Sequence, residues 1–192
     1  ELLLSFFLTV LFLFALFIIW QIKARKYISS GTVASAYDAW TQDKLLERLW
    51  GEHIHLGFYP SGKKKIDFRN AKVQFVHELV RWSGLDKLPK GSRILDVGCG
   101  IGGSSRILAK YYGFNVTGIT ISPAQVKRAR ELTPDGLNCS FLVMDALDLK
   151  FEDGTFDAVW SVEAGAHMND KTKFADEMLR TLRPGGYLAL AA

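Results

Sequence analysis

Ile94-Leu95-Asp96-Val97-Gly98-Cys99-Gly100-Ile101-Gly102-Gly103 decides the fold of this chain. Ile94, Leu95 and Val97 form a short apolar run, partly β-branched, that reads as a buried strand. The strand ends in an acid and breaks into a turn containing Gly98, Gly100, Gly102 and Gly103, where missing Cβ atoms let a ligand or another backbone come close. From Ser104 the text turns helical, with Ile107, Leu108 and Tyr111 on one face. A strand, a glycine turn and a helix N-terminus make a nucleotide-type cradle whose N–H groups aim at the ligand.

Gly98-x-Gly100-x-x-Gly103 satisfies the dinucleotide pattern by its letters. Asp96 pulls away from that reading, because a diphosphate would meet its negative charge. A ligand with a cationic end and no phosphate, such as S-adenosylmethionine, meets no such opposition. The next strand, residues 115–122, ends in Thr120 and Ser122 and lacks the acid expected to hold a ribose. That absence counts against both cofactors, since a hydroxyl bonds a ribose more weakly than a carboxylate does. The following strand ends in Asp145, about where an adenine amino group would seek an acceptor; a helix N-cap is its other reading.

Working outward, the pattern predicts strands at 93–98, 115–120, 140–144, 156–162 and 186–191, with helices at 103–112, 123–132 and 171–182. Strands alternating with helices predict an α/β fold, a Rossmann-like doubly wound parallel sheet with right-handed crossovers. The chain stops just inside the fifth strand, so the core over 91–192 is expected to be incomplete, truncated at its C-terminus.

The N-terminus is a different material. Between Leu2 and Ile22 there is no charged residue, and only Ser5, Thr9 and Gln21 are polar. A helix of that length rises about 30 Å, enough for a bilayer core, so a transmembrane helix is expected over 1–22. Trp20 would sit at the interface, and Lys23, Arg25 and Lys26 would keep the rest on the cytoplasmic side, a single-pass arrangement. A cleaved signal peptide is the competing reading, opposed by the length of the run and the lack of a small-x-small site. Residues 23–90 read as a helical cap: a hinge at 29–32, a helix over 33–50, a loop over 57–65 and a second amphipathic helix over 67–84.

The 192 residues suffice for one domain with a core plus an appendage, at a net charge of +4. Lys63-Lys64-Lys65 is the densest basic cluster and reads as a solvated loop; neither zinc-ligand spacing nor a helix-turn-helix cue supports nucleic-acid binding. Two cysteines, Cys99 and Cys139, give no disulfide framework and point to a reducing compartment.

LDVGCGIGG, GITISPAQVKRA, MDALDL, FDAVWSVEAGAHM and LRPGGYLALA, in that order, resemble class I S-adenosylmethionine-dependent methyltransferases from Arg93 to Ala192. Upstream, AYDAWTQDKLLERLWGEHIHLGFY resembles the tocopherol-pathway and sterol C-methyltransferases, most closely the cyanobacterial 2-methyl-6-phytyl-1,4-benzoquinol methyltransferases. The resemblance implies that this segment folds over the cofactor as a lid. It implies that Asp96, Gly98, Gly100 and Gly102 frame the methionine end of S-adenosyl-L-methionine, that Thr120 and Ile121 flank the ribose and adenine, and that Asp145 and Ala146 meet the adenine edge. Tyr37 resembles the family's tyrosine at the methionine end, and Glu52, His53 or His55 would stand near the acceptor.

Ligands of a doubly wound sheet bind beyond the carboxyl ends of its strands, so Glu163 and His167, after the fourth strand, should face the reacting centre. Methylation of an aromatic carbon needs a base for the phenolic proton or the ring proton, and both residue types can be tuned toward neutral pH. The alternative is that Glu163 binds the cofactor and His167 caps the next helix. His53-x-His55 could suggest a metal, but no third ligand set accompanies it. The expectation is therefore a membrane-anchored C-methyltransferase acting on a lipophilic phenol or quinol in the bilayer, with a prenylated benzoquinol first. γ-Tocopherol and sterol methylation are the alternatives within that class. Outside it stand an NAD(P)-binding oxidoreductase and a non-catalytic membrane-tethered binding module.

Overall fold

The computed structural model describes residues 7, 9–14, 30–61 and 67–191. Its centre is a parallel sheet of β1 (Arg93–Val97), β2 (Asn115–Thr120), β3 (Cys139–Val143), β4 (Phe156–Val162) and β5 (Leu182–Ala191), in the order β3-β2-β1-β4-β5. Ahead of it lie α1 (Ser30–Gln42), α2 (Leu45–Trp50) and α3 (Phe68–Ser83). The crossovers carry α4 (Gly103–Tyr112), α5 (Pro123–Leu132) and α6 (Lys171–Thr181).

Side-chain alternation along β1 splits the core in two. Ile94 packs with Trp160, Phe114 and Leu108, and with Val76 and Val80 of α3. Leu95 and Val97 face the other way, onto Val159, Phe174 and Met178. The chain order reverses between β1 and β4, and at such a switch point two crossovers diverge and leave a crevice at the carboxyl ends of the strands. That crevice positions everything functional below.

Local chemistry explains the helix ends. Ser122 caps α5 by accepting from the Gln125 N–H, with Pro123 in the first turn. Asp170 caps α6 through the Lys173 N–H, and Asp67 caps α3 through the Asn70 N–H. Gly84 ends α3 in the left-handed conformation, φ 77°.

The structure corrects the expected transmembrane helix. Among the described residues no helix is long and apolar enough to cross a membrane. Of the apolar run, only residue 7 and residues 9–14 are described, as helix, and a helix of that length spans about 9 Å against a bilayer core of about 30 Å. The remainder of the run, Trp20 and the basic flank lie outside the described residues, as do Ser29 and Lys63–Lys65, whereas residues 30–32 of the expected hinge form the first turn of α1. The helix expected over 33–50 is broken: Lys44 takes a left-handed conformation, φ 55°, and separates α1 from α2. β5 starts earlier than expected, at Leu182, because Arg183–Gly186 is absorbed into a register shift against β4.

Candidate active site

A cavity of about 250 Å³ lies at the carboxyl ends of the strands, between the sheet and residues 33–55. Its floor is the glycine turn. Gly98 takes φ 81°, and a Cβ on it would come within 2.4 Å of the Ala164 Cβ. Gly100, at φ 55°, has nothing within 4 Å of such a Cβ, so the space above it is open. Asp96 is 2% exposed and accepts a 2.5 Å hydrogen bond from the Ser105 hydroxyl. Burial pushes its carboxyl up to about 7, and the Ser105 hydrogen bond offsets this only in part.

The sides come from the next two strand ends. The Thr120 hydroxyl donates to Gln125 Oε1 at 2.6 Å and accepts from the Ser122 N–H, so it is held by α5's first turn. Ile121 follows it on the wall. Asp145 accepts the Leu147 N–H at 2.9 Å, a local turn that aims the Met144–Leu147 stretch at the cavity.

The roof is fastened by polar contacts from several directions. Asp38 of α1 accepts from the Ser122 hydroxyl and the Ala124 N–H. Glu47 of α2 takes Arg128 with both carboxylate oxygens, at 2.6 and 2.8 Å. Glu52 pairs with the buried Arg106 at 2.5 Å, and Arg106 also donates to the Ile101 carbonyl beneath the glycine turn. Lys72, buried on α3, donates to the carbonyls of Trp50 and His53 at 3.1 and 2.7 Å, and desolvation pushes its ammonium pKa down. The Leu56 N–H donates to Glu163 Oε1 at 2.9 Å.

Glu163, directly after β4, has φ 55°, a left-handed conformation. Four residues on, His167 Nε2 lies 2.9 Å from the Tyr37 hydroxyl, joining α1 to the 3-10 turn Gly165–His167. Burial, and then Lys171, hold His167 below its usual pKa. In the lid segment His53 Nδ1 meets His55 Nε2 at 3.1 Å, and His55 Nδ1 meets the Leu56 carbonyl at 2.7 Å. Burial comes first in depressing both, with His53 brought down to about 3.

The structure thus brings Tyr37, His55, Asp96, Gly98, Gly100, Thr120, Ile121, Asp145, Ala146, Glu163 and His167 onto one cavity wall. Gly102 stands apart from it: it begins α4 at φ 81°, and a Cβ there would come within 2.7 Å of the Phe141 ring and 2.8 Å of the Arg106 guanidinium. Both ring nitrogens of His55 are engaged within the protein. Sequence reasoning did not find Ser105, Arg106, Gln125 or Lys72, whose signals are tertiary pairings; His53 it named only as one of three acceptor-side residues. Among the described residues no group of three or more His, Cys, Asp or Glu could hold a metal ion.

Four carboxylates line the cavity, those of Glu52, Asp96, Asp145 and Glu163, and among the described residues no lysine or arginine does. A parallel sheet with a glycine turn under an acidic crevice defines a nucleotide-type cofactor fold of the kind built for a cationic ligand. Residues 95–190 match the methyltransferase-domain family, and the chain belongs to it.

The chain is 60% identical over 173 residues to the 2-methyl-6-phytyl-1,4-hydroquinone methyltransferase of Synechocystis, covering 90% of this chain and 54% of the relative. It is 44% identical over 156 residues to the chloroplastic tocopherol O-methyltransferase of Arabidopsis thaliana, covering 76% of this chain and 45% of that protein. The chain therefore spans about half the length of these curated relatives. Among solved structures, the [4+2]-cyclase SpnF superposes with a TM-score of 0.75 at 30% identity, over 83% of this chain and 59% of that one. A fold neighbour named for cyclisation shows why the site, and not the fold, has to decide the chemistry.

Proposed function

We propose that the chain is the cofactor-binding part of an S-adenosylmethionine-dependent C-methyltransferase whose acceptor is a prenylated benzoquinol, a lipophilic molecule. One observation carries the cofactor reading: a cavity over a glycine turn lined by four carboxylates, of which only Glu52 is paired with an arginine, and, among the described residues, by no lysine or arginine. Such a wall attracts a sulfonium and an ammonium and repels a diphosphate. The residues fit the cofactor, because a Cβ at Gly100 would enter the open space the ligand needs. The acceptor class is supported by the Synechocystis relative and its name.

When bound, the cofactor supplies an electrophilic methyl group. The chain's part is to hold, align and exclude water, which is where much of the acceleration of a displacement originates. Asp96 provides buried negative charge for the cationic end. Thr120, Ile121, Asp145 and Ala146 form the wall for the nucleoside. The roof over 33–56 closes the crevice and raises the strength of every polar contact within it. His167, kept neutral by burial and joined to the Tyr37 hydroxyl through Nε2, is the residue we assign to take a proton from the acceptor, with Tyr37 as its partner. Glu163 holds the roof through Leu56 while facing the same space.

The test is methyl transfer by the full-length protein from methyl-labelled S-adenosylmethionine to a phytylated benzoquinol. The expected product carries the label on a ring carbon. Label on a phenolic oxygen, or none in the quinol, would overturn the C-methyltransferase reading.

A further inference from the structure

The two histidines of the lid segment fix each other's tautomer. A carbonyl only accepts, so the 2.7 Å contact between His55 Nδ1 and the Leu56 oxygen puts the proton on Nδ1. Burial keeps His55 neutral, and its Nε2 is then a lone pair. The 3.1 Å contact from His53 Nδ1 to that lone pair puts the second proton on His53 Nδ1. His53 is neutral as well, held so by burial and then by His55, Arg106 and Lys72. Its Nε2 is left as a bare acceptor.

That atom has no protein partner among the described residues. Nor is it sealed away, since none of the described buried polar side-chain atoms lacks a partner. His53 is one of the residues that line the cavity, so the cavity is the space from which a ligand can reach its ring. The ring packs over Gly103, where an added Cβ would come within 2.9 Å of its Cε1, and Lys72 fastens its carbonyl at 2.7 Å. Flipping the tautomer would set lone pair against lone pair at His55. Protonating Nε2 would add a cation beside Arg106 and Lys72, with Glu52 already committed to Arg106.

We propose that His53 is a specificity-determining residue that admits ligands presenting an O–H or N–H donor to its Nε2. The inference rests on the methyltransferase reading, under which two donors enter the cavity: the acceptor's hydroxyl and the cofactor's ammonium. Where the donor is the hydroxyl, His53 separates a hydroquinone from its quinone. A quinone carbonyl would face the nitrogen lone pair and leave both acceptors unpaired in a buried site, the kind of mismatch that discriminates most strongly.

The experiment is long-range ¹⁵N–¹H NMR of the histidine rings in the full-length protein, with S-adenosylhomocysteine and then a short-chain methylhydroquinone as probes. His53 should show a neutral Nδ1–H ring that does not titrate around the usual imidazole pKa of about 6.5. A shift of its Nε2 on adding S-adenosylhomocysteine alone would support the proposal with the ammonium as donor. A shift only on adding the hydroquinone, and none with the matching quinone, would support it with the hydroxyl as donor. An Nε2–H tautomer, or an unmoved Nε2 while other resonances report both ligands bound, would overturn it. Resonances that report no binding of S-adenosylhomocysteine at all would instead overturn the functional reading, and this one with it. In turnover, His53→Gln keeps an acceptor and should raise KM for the identified ligand less than His53→Phe, which should raise it about tenfold. Equal KM values in the two variants would contradict the proposal.

Discussion

The Glu163 carboxylate accepts the Leu56 backbone N–H at 2.9 Å, and so ties the end of β4 to the lid segment across 107 residues of sequence. A carboxylate-to-amide bond of this kind contributes about 1.5–3 kcal/mol. Glu163→Ala should therefore speed amide exchange in residues 52–58 and weaken S-adenosylhomocysteine binding, while leaving exchange in β1 and β2 unchanged. Unaltered exchange in the segment would show that Glu163 does not fasten it.

Gly98 and Gly100 should respond differently to the same substitution. Gly98→Ala must drive a methyl group to 2.4 Å from the Ala164 Cβ at φ 81°, so loss of thermal stability dominates. Gly100→Ala meets no atom within 4 Å, and its fold cost is the left-handed backbone alone, about 1–2 kcal/mol. Its methyl group enters the cavity, so cofactor affinity should fall by more than stability does. Paired melting curves and cofactor titrations on the two variants check this ordering.

Asp96 makes stability depend on pH in a direction opposite to an ordinary salt-bridged aspartate. Its pKa is raised by burial from 3.8 to about 7, so below pH 3.8 it is protonated in both the folded and unfolded states, and its full contribution is present. Between pH 3.8 and about 7 only the unfolded state ionises, and stability falls as pH rises; above about 7 the loss is complete. Asp96→Asn should flatten this slope in denaturant titrations. A wild-type slope no steeper than the variant's would contradict the assignment.

The same carboxyl links protons to ligand binding. A cationic ligand beside Asp96 favours the ionised form, so binding near pH 7 should release a fraction of a proton. Calorimetry in buffers of different ionisation enthalpy reads that fraction directly. Asp96→Asn should abolish the buffer dependence.

Lys72 holds the lid segment from below, through the Trp50 and His53 carbonyls and with its ammonium 4.8 Å from the Trp50 ring centroid. Lys72→Met keeps the packing and strands two carbonyls, so a loss of about 2 kcal/mol is expected, concentrated in residues 50–56. Limited proteolysis with mapped cleavage sites checks whether the damage is local.

The sheet was legible because its signals are local: Ile94 to Val97 and Phe156 to Val162 are apolar runs bounded by glycines and polar turns. The break at Lys44 was not, since helical spacing runs through it without glycine or proline; its positive φ accompanies Glu47 reaching Arg128 on α5. The resemblance pointed to Asp96, Thr120 and Asp145, and the rule that ligands sit beyond the strand ends pointed to Glu163 and His167; all of them line the one cavity. The fastenings did not follow. Lys72 to His53 and Glu52 to Arg106 are single long-range pairings that no periodicity records, and the acceptor state of His53 exists only through its neighbours' hydrogen bonds. The apolar N-terminal run was plain to read, yet among the described residues no helix is long and apolar enough to cross a membrane.

Titration calorimetry of the full-length protein with S-adenosylhomocysteine, set beside NADH, tests the central claim most directly. One saturable site for S-adenosylhomocysteine, no heat from NADH and loss of binding in Gly100→Val are the results the acidic cavity wall predicts. Heat from NADH with none from S-adenosylhomocysteine would contradict it.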